Sequence, residues 1–230
     1  MAKQPERIAV ALEVGARRVF ASAVDWPGWA RSGRDEATAL QSLLDYGPRY
    51  KRAIAAARLG FRPPADLSQL VVAERLKGGA GTDFGAPGVA PAVDSQPVTA
   101  DELRRLQSIL GAGWKTFAAT VEAARGRPLR TGPRGGGRDL AKLVAHVLES
   151  HAAYLHQISW KVKLDPASEA QSAIGRVATD TREALAAAAT GKMPARGPRG
   201  GARWSARFFV RYAAWHLLDH VWEIEDRVQP

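Results

Sequence analysis

His216 and His220 stand four residues apart in the run Tyr212–His220, inside a stretch with helical periodicity. On an α-helix that spacing stacks both imidazoles on one face, about 6 Å apart along the axis. The other three histidines, His146, His151 and His156, lie together in an earlier helical stretch. One of them, brought against the pair, would complete a facial set of three nitrogens. Three neutral nitrogens with positions left open for water describe a catalytic metal site better than a closed structural one. The chain has no cysteine, so any metal must be held by His, Asp or Glu.

Helical phase ranks the partners. With Phe209 set to zero at 100° per residue, Ala213, His216, His220, Glu223 and Arg227 fall within about 40° of it. The pair therefore points into a core, and Glu223, one turn beyond His220, is the candidate catalytic residue: a base, a ligand or an outer acceptor. Asp219 lies about 80° away and is better placed to orient a partner. In the earlier helix His151 falls in the middle of the stripe Leu140, Leu143, Val147, Tyr154, Ile158. His146 lies at its edge, and His156 lies opposite and exposed. The wheel alone selects His151. A buried histidine bonded to a carbonyl is the plain alternative for all of them, and the strong H-E-x-x-H form is absent.

The elements that must position these residues fall into two halves. Residues 6–34 read as β, with strands at Arg7–Val14 and Arg17–Val24 around a Gly15-Ala16 hairpin. Asp25-Trp26-Pro27-Gly28-Trp29 reads as a turn with two tryptophans for packing or binding. Asp35 is an N-cap, followed by the stripe Leu40, Leu43, Leu44, Gly47. Pro48 is expected to interrupt that helix, with Tyr50, Ile54 and Ala57 in a second stretch. Leu67–Leu76 reads as a strand, and residues 77–98, rich in Pro and Gly, as a loop or linker. Helices are expected near 100–124, 138–161, 167–190 and 203–227, the first opened by a Thr99/Glu102 capping box. The near-repeated loops Thr131–Gly137 and Arg196–Ala202 precede the second and the fourth. The expected class is α+β: a small sheet-and-helix domain over 1–98, then a four-helix bundle over 99–230.

Composition narrows the partners. The formal charge is +10, with +3 over residues 1–100 and +7 over residues 101–230. Excess arginine favours anionic partners, but no aromatic-basic platform or recognition helix accompanies it, so nucleic acid is not an expected partner. No apolar run of 18 residues occurs, so no membrane span is expected. The start, Met1–Arg7, lacks the apolar stretch of a secretory signal, and the absence of cysteine fits a cytoplasmic protein. Bundles often pair, so a homodimer is a candidate assembly that no residue pattern specifies.

The run Trp215-His216…His220 resembles the last-helix motif of the DinB-like superfamily, in its YfiT-type metal-hydrolase and bacillithiol-transferase branch. Ala145-His146-Val147-Leu148-Glu149-Ser150-His151-Ala152-Ala153-Tyr154-Leu155 is similar to that family's second-helix pattern. This resemblance covers about residues 100–230. It implies His146, His216 and His220 as ligands of a divalent metal, Zn²⁺ or Ni²⁺ first, with His151 in reserve. It further implies a small-molecule substrate, and hydrolysis or transfer of a low-molecular-weight thiol. Arginines in the Gly-Pro-Arg loops could hold a carboxylate of such a cosubstrate, or simply be solvated. The front half, through Phe20–Trp29, Gly33 and Asp35–Leu40, resembles the HicB-like antitoxin fold, a β-β-β-α unit. The DNA-binding segment that usually follows in that family has no counterpart here. A non-catalytic partner-binding module on a metal-binding scaffold is the alternative function.

Overall fold

Two buried, largely apolar runs joined by a tight turn build the first hairpin. β1 (Ile8–Val14) pairs antiparallel with β2 (Val19–Ala23), and Gly15 N donates to Arg18 O across the turn. The computed structural model describes residues 7–131, 137–191, 196 and 200–229. Ala30–Gly33 forms a short β3 against β2. The expected strand at 67–76 is β4 (Leu70–Lys77), entered through a 3₁₀ turn at Leu67–Gln69. β4 lies parallel to β1, giving the order β3-β2-β1-β4. A parallel neighbour requires a crossover, and α1 (Glu36–Ala53) supplies it.

The expected interruption at Pro48 does not occur: α1 runs through it as one helix, capped by reciprocal bonds between Asp35 and Thr38. Proline removes one helical hydrogen bond and costs about 3 kcal/mol in an exposed helix. Burial offsets that cost. Ala39, Leu43, Gly47, Tyr50 and Ala53 form one continuous buried stripe. Tyr50 donates its hydroxyl to Pro27 O at 2.9 Å, and Trp29 Nε1 donates to Leu43 O at 2.8 Å. The Asp25–Trp29 corner thus packs both tryptophans inward. At its tip Gly28, with φ +93°, sits so close to α6 (Ala206–Arg227) that a Cβ there would meet Ala214 Cβ at 3.0 Å. Only glycine combines that φ with that approach.

Residues 77–98, expected to be a loop or linker, hold a short α2 (Ala80–Phe84) and a 3₁₀ turn at Ala92–Ser95. Two buried carboxylates fasten this segment. Glu13 accepts from Thr82 Oγ1 at 2.5 Å, Gly88 N at 3.1 Å and Val89 N at 2.9 Å. Asp94, buried, takes two 2.7 Å bonds from Arg211, which also donates to the carbonyls of Ala23 and Val24. One guanidinium therefore ties the end of β2, this strap and α6 together.

From Thr99 the chain is helical: α3 (Ala100–Ala123), α4 (Leu140–Gln157), α5 (Ala170–Ala189) and α6. Side chains cap each start: Thr99, Asp139, Glu169 and Ser205. α3 and α4 each pack on both α5 and α6. α6 is buried on nearly every side between Phe208 and Ile224, as a helix between a sheet and other helices should be. Secondary structure changes character at Thr99, but packing does not. One apolar core runs from Val10, Leu12 and Trp29 to Leu143, Val177 and Leu217. Among the described residues no helix is long and apolar enough to cross a membrane.

Candidate metal centre

α4 and α6 lie side by side and turn their histidines toward each other. The His146 ring centroid is 5.3 Å from that of His216 and 5.1 Å from that of His220; the i, i+4 pair itself is 4.6 Å apart. One nitrogen from each of His146, His216 and His220 lies within 4.8 Å of the other two. His216 is buried and the other two are half-buried, so the set opens on one side. Among the described residues no carboxylate joins it.

The protonation states suit a ligand set. Burial first, then the neighbouring His220 and Arg138 charges, hold His146 below its ordinary range. Burial, then the surrounding His151, His220 and His146 rings, push His216 down far more strongly. A neutral imidazole keeps a lone pair, which is what a metal needs and a proton would block. The His216 Nδ1 atom is buried with no hydrogen-bond partner. An orphaned buried polar atom on a ring of this cluster is costly unless something satisfies it. A tetrahedral ion with bonds of ~2.0–2.1 Å sets its nitrogens ~3.3 Å apart, within reach of modest side-chain rotation from this arrangement. The residues present fit a divalent metal.

Glu223 lies on the same face, as its helical phase requires. Its Oε2 is 2.7 Å from His220 Nδ1, and its Oε1 accepts from Arg227 Nη1. The hydrogen bond from His220 and the Arg227 guanidinium hold its carboxyl below the ordinary range, against the opposing effect of burial. A carboxylate at Nδ1 keeps the proton there and leaves Nε2 as the lone pair of His220. The geometry makes Glu223 an orienting acceptor for His220, with both oxygens engaged. Asp219 faces away and pairs with Arg31 of β3 at 2.8 Å.

His151 is where the wheel put it, at the centre of the buried stripe. It is fully buried, with both ring nitrogens unpartnered and its pKa pushed down by burial to about 3. Its ring packs against Trp114 at 4.7 Å and His216 at 5.7 Å. It stands behind the triad rather than in it. His156 is exposed, as expected. Tyr154 meets His216 edge-on at 5.4 Å and continues into Tyr212 and Trp204, an aromatic wall beside the imidazoles. Periodicity missed the Arg227 link. Its one signal in the chain is an arginine four residues after Glu223 on the same helical face. The repeated Gly-Pro-Arg loops lie largely outside the described residues.

The fold and site together define an α+β protein with an imidazole cluster suited to a divalent ion. Comparison with known protein families, with curated proteins and with solved structures finds no match to this chain.

Proposed function

We propose that this protein is a divalent-metal-dependent enzyme that activates a low-molecular-weight thiol for transfer, with His146, His216 and His220 as ligands. The observation that carries the reading is the convergence of three imidazoles from two helices onto one half-open point. Zn²⁺ or Ni²⁺ suits such a set; when bound, the ion lowers the pKa of a bound water or thiol toward neutrality. Glu223 fixes the tautomer of His220, and Arg227 fixes Glu223. Tyr154, Tyr212 and Trp204 offer an apolar wall to a substrate and exclude water from one side. Thiol transfer is preferred to hydrolysis because both Glu223 oxygens are engaged, so the best-placed carboxylate is not free to deprotonate water. Hydrolysis is the second reading, and a metal-bearing scaffold without catalysis the third.

The test is metal content of untagged protein, wild type against His216→Ala, followed by thiol-transfer and hydrolysis assays on loaded protein. Near one equivalent of a transition metal, lost in the variant, is expected. Wild type that neither contains metal nor takes up Zn²⁺ or Ni²⁺ would sink the proposal.

A further inference from the structure

Arg138 immediately precedes Asp139, the N-cap of α4, two helical turns before His146. Its side chain is exposed, and among the described residues its guanidinium has no ion pair or hydrogen bond. Its backbone, in contrast, is held from inside the protein. Arg227, buried at the end of α6, donates from Nη2 to Arg138 O at 2.9 Å. The same guanidinium donates from Nε to Arg130 O at 2.8 Å, and from Nη1 to Glu223, the partner of His220. All three nitrogens of one buried arginine thus join Arg130, Arg138 and a triad histidine. A second set of bonds fastens the Arg130 side: Arg130 N donates to Arg227 O at 2.8 Å, and Gln229 N to Pro128 O at 3.0 Å.

A cation that serves only solubility gains nothing from having its backbone fixed to a functional histidine. A cation that must meet a ligand at a set distance from the imidazoles does. A free planar guanidinium, with no second free cation joined to this network among the described residues, matches the two oxygens of a carboxylate.

Resting on the metal-site reading above, we infer that Arg138 is the anion-recognising residue of the histidine site. Its ligand is a small molecule bearing a carboxylate beside the group that the site activates. Arg227 is the positioning residue that sets Arg138 and His220 in one frame.

The experiment titrates the Co²⁺-loaded full-length protein with 3-mercaptopropionate and with 2-mercaptoethanol, followed by sulfur-to-cobalt absorption. Arg138→Gln is expected to weaken 3-mercaptopropionate about tenfold, the scale of one charge-assisted hydrogen bond, and to leave 2-mercaptoethanol unchanged. Arg138→Lys should fall between. Direct contact of the carboxylate with cobalt is common to wild type and variant and cancels in the ratio. Because Arg138 is exposed, the variants test recognition rather than folding. Equal effects on both thiols, no effect on either, or loaded wild type that binds neither thiol overturns the assignment while leaving the metal site standing. Wild type that takes up no Co²⁺ overturns the metal reading, and this inference with it.

Discussion

Two buried polar clusters in this protein are built on opposite principles. Around Glu13 every acceptor finds a donor: Thr82 Oγ1 and Gly88 N on one oxygen, Val89 N on the other. Around His216 the accounting does not close. His216 Nδ1 and both nitrogens of His151 are buried and unpartnered, and Trp114 Nε1 beside His151 is too. Satisfied, a buried polar group is a fastener; it selects one arrangement and needs nothing else. Unsatisfied, it is a standing cost that evolution removes unless something uses it. The Glu13 cluster reads as structure and the imidazole cluster as a site, although both lie within the same folded body.

The largest effect that would sharpen this contrast is on metal affinity. A four-ligand zinc site is worth ~10–16 kcal/mol, so one ligand is worth ~3–4 kcal/mol. His216→Ala should therefore weaken Zn²⁺ binding by several hundredfold in a competitive chelator titration, while urea unfolding of the metal-free protein moves little. Glu13→Leu should do the reverse. It strands the Thr82 hydroxyl and two amides, so unfolding free energy should drop by ~2–3 kcal/mol with metal affinity unchanged. If Glu13→Leu instead removes metal, the two clusters are not separate and the contrast fails.

Arg227→Met comes next. Loss of an outer partner of a metal ligand costs about 10–100-fold in affinity, and the same range is expected here. Glu223→Gln should show a smaller loss, since an amide oxygen still accepts from His220. An Arg227→Met protein that melts at a lower temperature but binds Zn²⁺ as tightly as wild type would make that arginine purely structural.

The smallest effect is a pH slope. His151 has a folded pKa lowered to about 3, against an unfolded value near 6.5. Below pH 6.5 the unfolded chain takes up a proton that the folded protein refuses. Stability from this group is fully present above pH 6.5 and falls by ~1.4 kcal/mol per unit until about pH 3. His151→Leu should flatten that part of the slope for metal-free protein, with chemical denaturation at pH 7.5 and 5 as the measurement. An unchanged slope would mean that His151 has a partner in solution.

Much of the fold was legible because its signals are local. The caps Asp35 and Thr99, the hairpin at Gly15-Ala16 and the helical stripes all act within a few residues. Those signals place α3 to α6 within a few residues of their observed ends. The same local rule failed at Pro48, where contacts from the corner Pro27–Trp29 outweigh a proline's cost. It also failed over residues 77–98, whose order comes from partners far away in sequence, the Glu13 carboxylate and the Arg211 guanidinium.

The histidine site divides along the same line. By itself the sequence determined that His216, His220, Glu223 and Arg227 share one helical face, since 3.6 residues per turn admits no other arrangement. Periodicity also identified the most buried histidine of α4, His151. It could not tell that the histidine of α4 closest to the pair is the partly exposed His146, because a wheel measures depth and not the distance to another helix. That choice, and the joining of Arg138 to His220 through Arg227, were decided only when α4 and α6 came to lie side by side. Interhelical contacts depend on packing against the sheet and α5, which no window along the chain contains.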